Sequence, residues 1–138
     1  HLLDGVLDFT AQQLIQYYIC QQNGSLSQLT TALQKHYEKF PSDFFLPLFL
    51  DNHDMDRVLF QCTNHFYRLK KAAELQFSIQ QPIIIYYGTE KGISQQKSVW
   101  STPNHGDLLA RKPMPWNDTK NDELYDFYRK LIKDRRLT

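Results

Sequence analysis

Leu46-Pro47-Leu48-Phe49-Leu50 is a run of five apolar residues with no polar alternation. Such a run reads as a strand buried on both faces, and strands of that kind belong to parallel sheets covered by helices. In parallel α/β folds the chemistry collects at the carboxyl ends of the strands, where loops meet over the sheet. Directly after the run stands Asp51-Asn52-His53-Asp54: two carboxylates, an amide and an imidazole. Asp51 and Asn52 alone carry little weight, because both residue types commonly cap helices. With His53 and Asp54 beside them, and Met55-Asp56-Arg57 following, the stretch reads as a candidate site.

The segments around it set an α/β order. Residues 2–9 read as a short strand ending near Asp8, with Thr10 capping a helix that carries Leu14, Tyr17 and Tyr18 inward and stops near Asn23-Gly24. Ser25 or Ser27 starts a second helix with Leu26, Leu29, Leu33 and Tyr37 on one face. After the polar cluster, residues 55–60 form a turn of helix. A longer helix over about 64–78 places Phe66, Leu69, Ala73 and Phe77 inward, with Arg68, Lys70, Lys71 and Glu74 on a solvated face. Pro82-Ile83-Ile84-Ile85-Tyr86-Tyr87 is the strongest strand signal, β-branched and aromatic throughout, with proline suited to a strand's first position. It ends at Gly88-Thr89-Glu90, again with a carboxylate at a carboxyl edge. A last helix over 122–135 carries Leu124, Phe127, Tyr128, Leu131 and Ile132, with basic residues at its negative end. Three βα units in series imply three parallel strands with right-handed crossovers and outer helices.

Residues 92–117 have no clear period. At roughly 25 residues the stretch far exceeds ordinary connections of about 2–6 residues, so it is either functional or disordered. It holds both tryptophans, Trp100 and Trp116, which read either as sugar platforms or as pins holding the loop to the core.

Bulk properties exclude several classes. A net charge of +1 with interspersed acids and bases, and no basic stripe, gives no footprint for nucleic acid. No apolar run approaches the roughly 18 residues needed to span a membrane. No signal-peptide pattern stands at the start, which reads as cytoplasmic. The 138 residues enter an apolar segment at once from His1, which reads as one domain or a piece of a longer polypeptide. Cys20 and Cys62 lack C-x-x-C spacing and read as free buried thiols, a single disulfide being the alternative. Asn23-Gly24-Ser25 and Asn117-Asp118-Thr119 match the glycosylation triplet, a short pattern that chance often produces.

Three motifs in order carry a family resemblance. Phe49-Leu50-Asp51-Asn52-His53-Asp54 resembles the F-x-x-N-H-D segment at the seventh strand of the α-amylase family, glycoside hydrolase family 13. Tyr86-Tyr87-Gly88-Thr89-Glu90 resembles the YYGTE of its eighth strand. Arg111-Lys112-Pro113-Met114-Pro115-Trp116 resembles the R-x-P-M-x-W loop of neopullulanases and cyclomaltodextrinases, and Val6-Leu7-Asp8-Phe9 fits the sixth strand more weakly.

The resemblance covers nearly the whole chain and implies the carboxyl-side part, strands six to eight, of a catalytic (β/α)8 barrel. It implies a retaining hydrolase of α-1,4-glucans or maltodextrins that works through two carboxylates about 5–5.5 Å apart. In the family the nucleophilic Asp follows the fourth strand and the general-acid Glu the fifth, and neither segment is matched here, so the chain alone is expected to be inactive. By resemblance Asp54 is the third carboxylate, which grips sugar hydroxyls and stabilises the transition state, and His53 binds the same ring. Asn52, Arg57, Glu90, Arg111 and Trp116 are the further candidate substrate-binding residues. Arg57 pairs either with a site carboxylate or with Asp56; Glu90 lines the site or supports it from behind; Arg111 reaches the site mouth or makes a surface pair. No cofactor is implied. The calcium ligands of some amylases are not located in this segment, so no metal is assigned. The implied partners are an α-glucan substrate and the missing amino-terminal half of the barrel, with self-association of the fragment in its absence. The competing readings are a non-catalytic relative serving as a binding module, and a transglycosylase or isomerase of the same family.

Overall fold

Two parallel backbone bridges, Gly5 with Phe45 and Leu48 with Ile83, set three extended segments side by side: 4–8, 45–50 and 82–86, with 45–50 in the middle. The computed structural model describes residues 3–101 and 106–136. Leu2 of the expected first strand and residues 102–105 of the expected loop lie outside the described residues.

The three segments are joined by isolated parallel bridges and do not form regular strands, so the parallel order is seen and the expected three-stranded sheet is not. The reason is legible in the bonds. Phe45 N–H donates to Asp4 O (2.9 Å) and Val6 N–H to Phe45 O (3.0 Å), which closes the first bridge. The next rung has only Asp8 N–H to Pro47 O (3.0 Å), since Pro47 has no N–H to return. On the other side Leu48 N–H donates to Pro82 O (2.8 Å) and Ile84 N–H to Leu48 O (2.9 Å). Pro82 blocks the rung before, and Leu46 N–H turns to the Gln81 side chain (2.9 Å) instead. Two buried amides bond to other carbonyls of the segments: Gln76 donates to Leu48 O (3.0 Å) and Ile84 O (3.2 Å), and Gln12 donates to Leu50 O (3.2 Å). Gly5 is required here, because a Cβ would stand 2.2 Å from Phe45 O.

The helices follow the expected order. α1 (Phe9–Ile15) runs into a π turn over Gln16–Cys20; then come α2 (Leu26–Tyr37), the short α3 (Val58–Gln61), α4 (Phe66–Ser78) and α5 (Asp122–Arg135). The cap of α1 is Asp8, not Thr10: Asp8 Oδ1 accepts from Ala11 N–H (2.9 Å) and also meets His36 Nε2 (2.8 Å). α2 starts with a capping box between Ser25 and Gln28. Ala11, Gln12 and Ile15 are the buried face of α1, and Tyr17 in the π turn is exposed. Leu26 and Phe66 are also exposed, each being the first residue of its helix.

Leu29, Leu33, Leu48, Leu50, Leu69, Ala73, Leu124 and Tyr128 lie in one core between the extended segments and the helices. Cys20 and Cys62 are joined by a disulfide within it, which corrects the free-thiol reading. The polar face of α4 is less solvated than expected. Arg68 donates to Cys20 O, Thr63 and Gln22, and Lys70 pairs with Glu123 of α5.

Candidate functional site

The middle segment ends at Asp51, whose carboxylate is buried. Oδ2 accepts from Val58 N–H (3.0 Å) at the start of α3, and Oδ1 accepts from the Thr89 hydroxyl (2.8 Å). Thr89 is placed there by Gly88, whose φ of +81° makes the turn after the third segment and where a Cβ would strike Ile93 at 2.1 Å. Asp51 thus ties the ends of two neighbouring segments together. Burial pushes its carboxyl up to about 6, against the opposing pull of the Val58 N–H, the Arg57 charge and the Thr89 hydroxyl.

Arg57 is fully buried and faces inward, not onto an open surface. Its Nη1 donates to Tyr87 O (2.8 Å) and lies 3.9 Å from Asp51 Oδ2. Its guanidinium sits 4.1 Å from the Tyr86 ring centre and 4.9 Å from that of Tyr87. The carboxylate it pairs with is therefore Asp51, rather than Asp54 or Asp56.

Two residues after Asp51 the chain is in solvent. Asn52 Oδ1 accepts from Asp54 N–H (2.8 Å), an Asx turn that aims the next side chains outward. His53 Nε2 and Asp54 Oδ2 are 3.1 Å apart, with side chains 60% and 65% exposed. Arg111 arrives from the 92–117 loop. Its Nη2 donates to Asp54 Oδ1 (3.0 Å), its Nε to His53 O (3.1 Å), and its Nη1 pairs with Asp107 (3.0 Å). Asn52, His53, Asp54 and Arg111 are thus brought together on one exposed rim. Such a rim presents an oriented carboxylate, an imidazole and a guanidinium, groups able to take up the hydroxyls of a polar ligand.

Glu90 and Trp116 stand elsewhere. Both line a cleft of about 500 Å³ with Tyr87, Lys91, Met114 and Tyr125, and none of His53, Asp54 or Arg111 lines it. Trp100 and Trp116 are 77% and 80% exposed, so neither pins the loop to the core. The loop is nevertheless ordered where it is described, with short 3-10 turns at Val99–Ser101 and Gly106–Leu109.

Three supporting residues escaped the sequence reading. Asp56, buried, accepts from Gln61, Gln95, Ser98 and the Val99 N–H. Gln95 and Thr89 are buried polar residues on irregular chain. A third carboxylate, five residues after Asp51, was visible in the sequence, but no periodicity marks a buried polar residue in a loop. Among the described residues, no group of three or more His, Cys, Asp or Glu could hold a metal ion.

Comparisons with known proteins give the family and the fold. The family model for the alpha amylase catalytic domain matches residues 4–135. Alpha-amylase 2 of Dictyoglomus thermophilum is 34% identical over 134 residues, covering 96% of this chain and 24% of that protein. The solved structure of a cyclomaltodextrinase superposes with a TM-score of 0.85 at 26% identity, covering 99% of this chain and 22% of that one. That of a cyclic α-maltosyl-(1→6)-maltose hydrolase from Arthrobacter globiformis, in complex with cyclic α-maltosyl-(1→6)-maltose, gives 0.84 at 25% identity, covering 98% and 29%. The chain therefore spans about a quarter of the length of the relatives it matches. The match over almost every residue, with the N-H-D rim at the end of the central segment, establishes that this chain belongs to the alpha-amylase catalytic-domain family.

Proposed function

We propose that the chain forms the carboxyl-side part of the (β/α)8 barrel of a retaining α-glucosidic hydrolase, its three extended segments being strands six to eight. Its parallel pairing and outer helices support the placement, as does the exposure of both flanking segments. The relatives' names, α-amylase and cyclomaltodextrinase, support α-1,4-glucans or maltodextrins as the substrate class. Bond cleavage needs a nucleophile and a general acid on either side of the glycosidic bond. In this reading both come from outside the 138 residues, so the chain by itself hydrolyses nothing.

What the chain supplies is the grip on the sugar. Asp54 accepts hydrogen bonds from two hydroxyls of the ring at the cleavage point, and its charge opposes the positive charge that develops there. His53 donates to the same ring. Interactions of this kind raise the rate only if they strengthen as the ring flattens toward the oxocarbenium-like transition state. Asn52 shapes the turn, and Arg111 orients Asp54 from the loop. Arg57 holds the strand ends from beneath, through Asp51 and Tyr87. Glu90 and Trp116 offer a contact for sugar units farther along the glucan.

The observation that carries this reading is the convergence of His53, Asp54 and Arg111 on one exposed rim. The test is steady-state hydrolysis of maltooligosaccharides by the protein that carries this chain. Asp54→Asn is expected to fold normally and lower kcat/KM by about 10²- to 10³-fold; unchanged turnover would dismiss the role.

A further inference from the structure

Asp56 sits two residues after Asp54 on the same turn, is 4% exposed, and faces away from the rim into the 92–117 loop. Its Oδ1 accepts from Gln95 Nε2 (2.6 Å) and Val99 N–H (2.7 Å). Its Oδ2 accepts from the Ser98 hydroxyl (2.8 Å) and Gln61 Nε2 (2.8 Å). Three of these four donors belong to the loop. Gln95 is held from its other side as well, its Oε1 accepting from Arg57 N–H (2.9 Å). A buried carboxylate supplied with four donors is a strong and directional anchor, since hydrogen bonds to a charged acceptor are stronger than neutral ones.

The anchored stretch is tied to the chain next to Arg111, and the end of the third segment fastens that chain on both sides of it. Lys112 Nζ donates to Ser94 O (2.7 Å), next to Gln95. The Tyr87 hydroxyl donates to Lys112 O (2.8 Å), and the Tyr86 hydroxyl reaches Ala110 O (3.5 Å). Arg111 thus stands between two fastened neighbours, and its guanidinium spans Asp54 Oδ1 and the His53 carbonyl. The chain leaves the rim at Asp54, is fastened to the loop at Asp56, and meets that loop again at Arg111.

We propose that Asp56 is a positioning residue: by fixing the 93–101 segment it delivers Arg111 onto Asp54 and so sets the direction of the sugar-gripping carboxylate. Its consequence for the reaction rests on the functional reading above; its consequence for the loop does not. A clasp of this kind acts through Arg111 alone, so its loss has no further effect once Arg111 is gone. A role in stability alone would leave the two losses independent.

Two readouts on the protein that carries this chain test it. In hydrogen exchange, Asp56→Asn is expected to raise exchange in segment 93–101 and also in segment 106–116. Continued protection of 106–116 in a folded variant would overturn the proposal. In kinetics with maltoheptaose, Asp56→Asn and Arg111→Ala are each expected to lower kcat/KM by about tenfold or more, as misplaced groups do. The double variant should match Arg111→Ala within about twofold, and losses that multiply would overturn the proposal. Should Asp56→Asn fail to fold, Ser98→Ala removes one donor to Asp56, with the acceptor of the Trp100 N–H, and leaves the buried charge paired. Its smaller loss should vanish in the Arg111→Ala background, and persistence there counts against the clasp. A normal turnover of Asp54→Asn would sink the functional reading, and the exchange result would then decide the clasp by itself.

Discussion

Asp51 is a buried carboxylate next to the rim, and the consequence of its burial is a pH dependence of stability. Burial raises its folded-state carboxyl to about 6, above the ordinary Asp value. The folded protein therefore holds a proton that the unfolded chain has released between about pH 4 and 6, and in that window stability falls as pH rises. The favourable contribution is fully present below about pH 4, is lost through about pH 6, and amounts to about 3 kcal/mol. Melting temperatures at closely spaced pH values from 4 to 7 should show this slope, and Asp51→Asn should flatten it; identical slopes in the two proteins would contradict the assignment. At this scale the sequence was informative where function groups residues together. Asn52, His53 and Asp54 are consecutive, and their arrival on one rim with Arg111 follows from one Asx turn and one loop. Asp56, Thr89 and Gln95 were not legible, because a buried polar side chain is chosen by its three-dimensional partners and leaves no periodic trace.

Among the elements, the helices were readable and the pairing of the extended segments was not. α2, α4 and α5 lie close to the spans expected from apolar spacing, because a helix satisfies its backbone locally and the pattern of one face defines it. A parallel pair needs partners far away in sequence. Pro47 and Pro82 each delete one rung, and the apolar run that announced the middle segment concealed the first of them. Side chains bond to several carbonyls around the segments, and Arg135 does so for three of them. From α5 it donates to Phe77 O (2.7 Å), Ile79 O (2.8 Å) and Gln81 O (2.6 Å), closing the carboxyl end of α4. Arg135→Ala leaves those carbonyls without this donor, and a loss of about 2–3 kcal/mol is expected in urea unfolding. A loss near that of an ordinary surface substitution, about 0.5 kcal/mol, would show that other partners suffice.

For the whole molecule, the middle segment is buried and its two neighbours are not. Val6, Leu7, Phe45 and Ile84 are exposed apolar residues on the outer segments or at the start of the middle one. Edges of this kind pair with other chains unless they are covered. Light scattering of the 138 residues expressed alone should give a mass well above 16.4 kDa, whereas a monodisperse species of that mass would contradict the open-edge account. The family was legible because its three motifs sit at the ends of two segments and on the loop beyond, where chemistry constrains residue type more than packing does. The central claim is that Asp54 holds a flattened glucose ring more tightly than a relaxed one. Calorimetry with two uncharged ligands, maltose and a glucose-derived lactone flattened at the anomeric carbon, tests it on the protein that carries this chain. Asp54→Asn is predicted to weaken the lactone by about 10²-fold and maltose by less than about tenfold. Equal losses for the two ligands, or no loss for either, would contradict it.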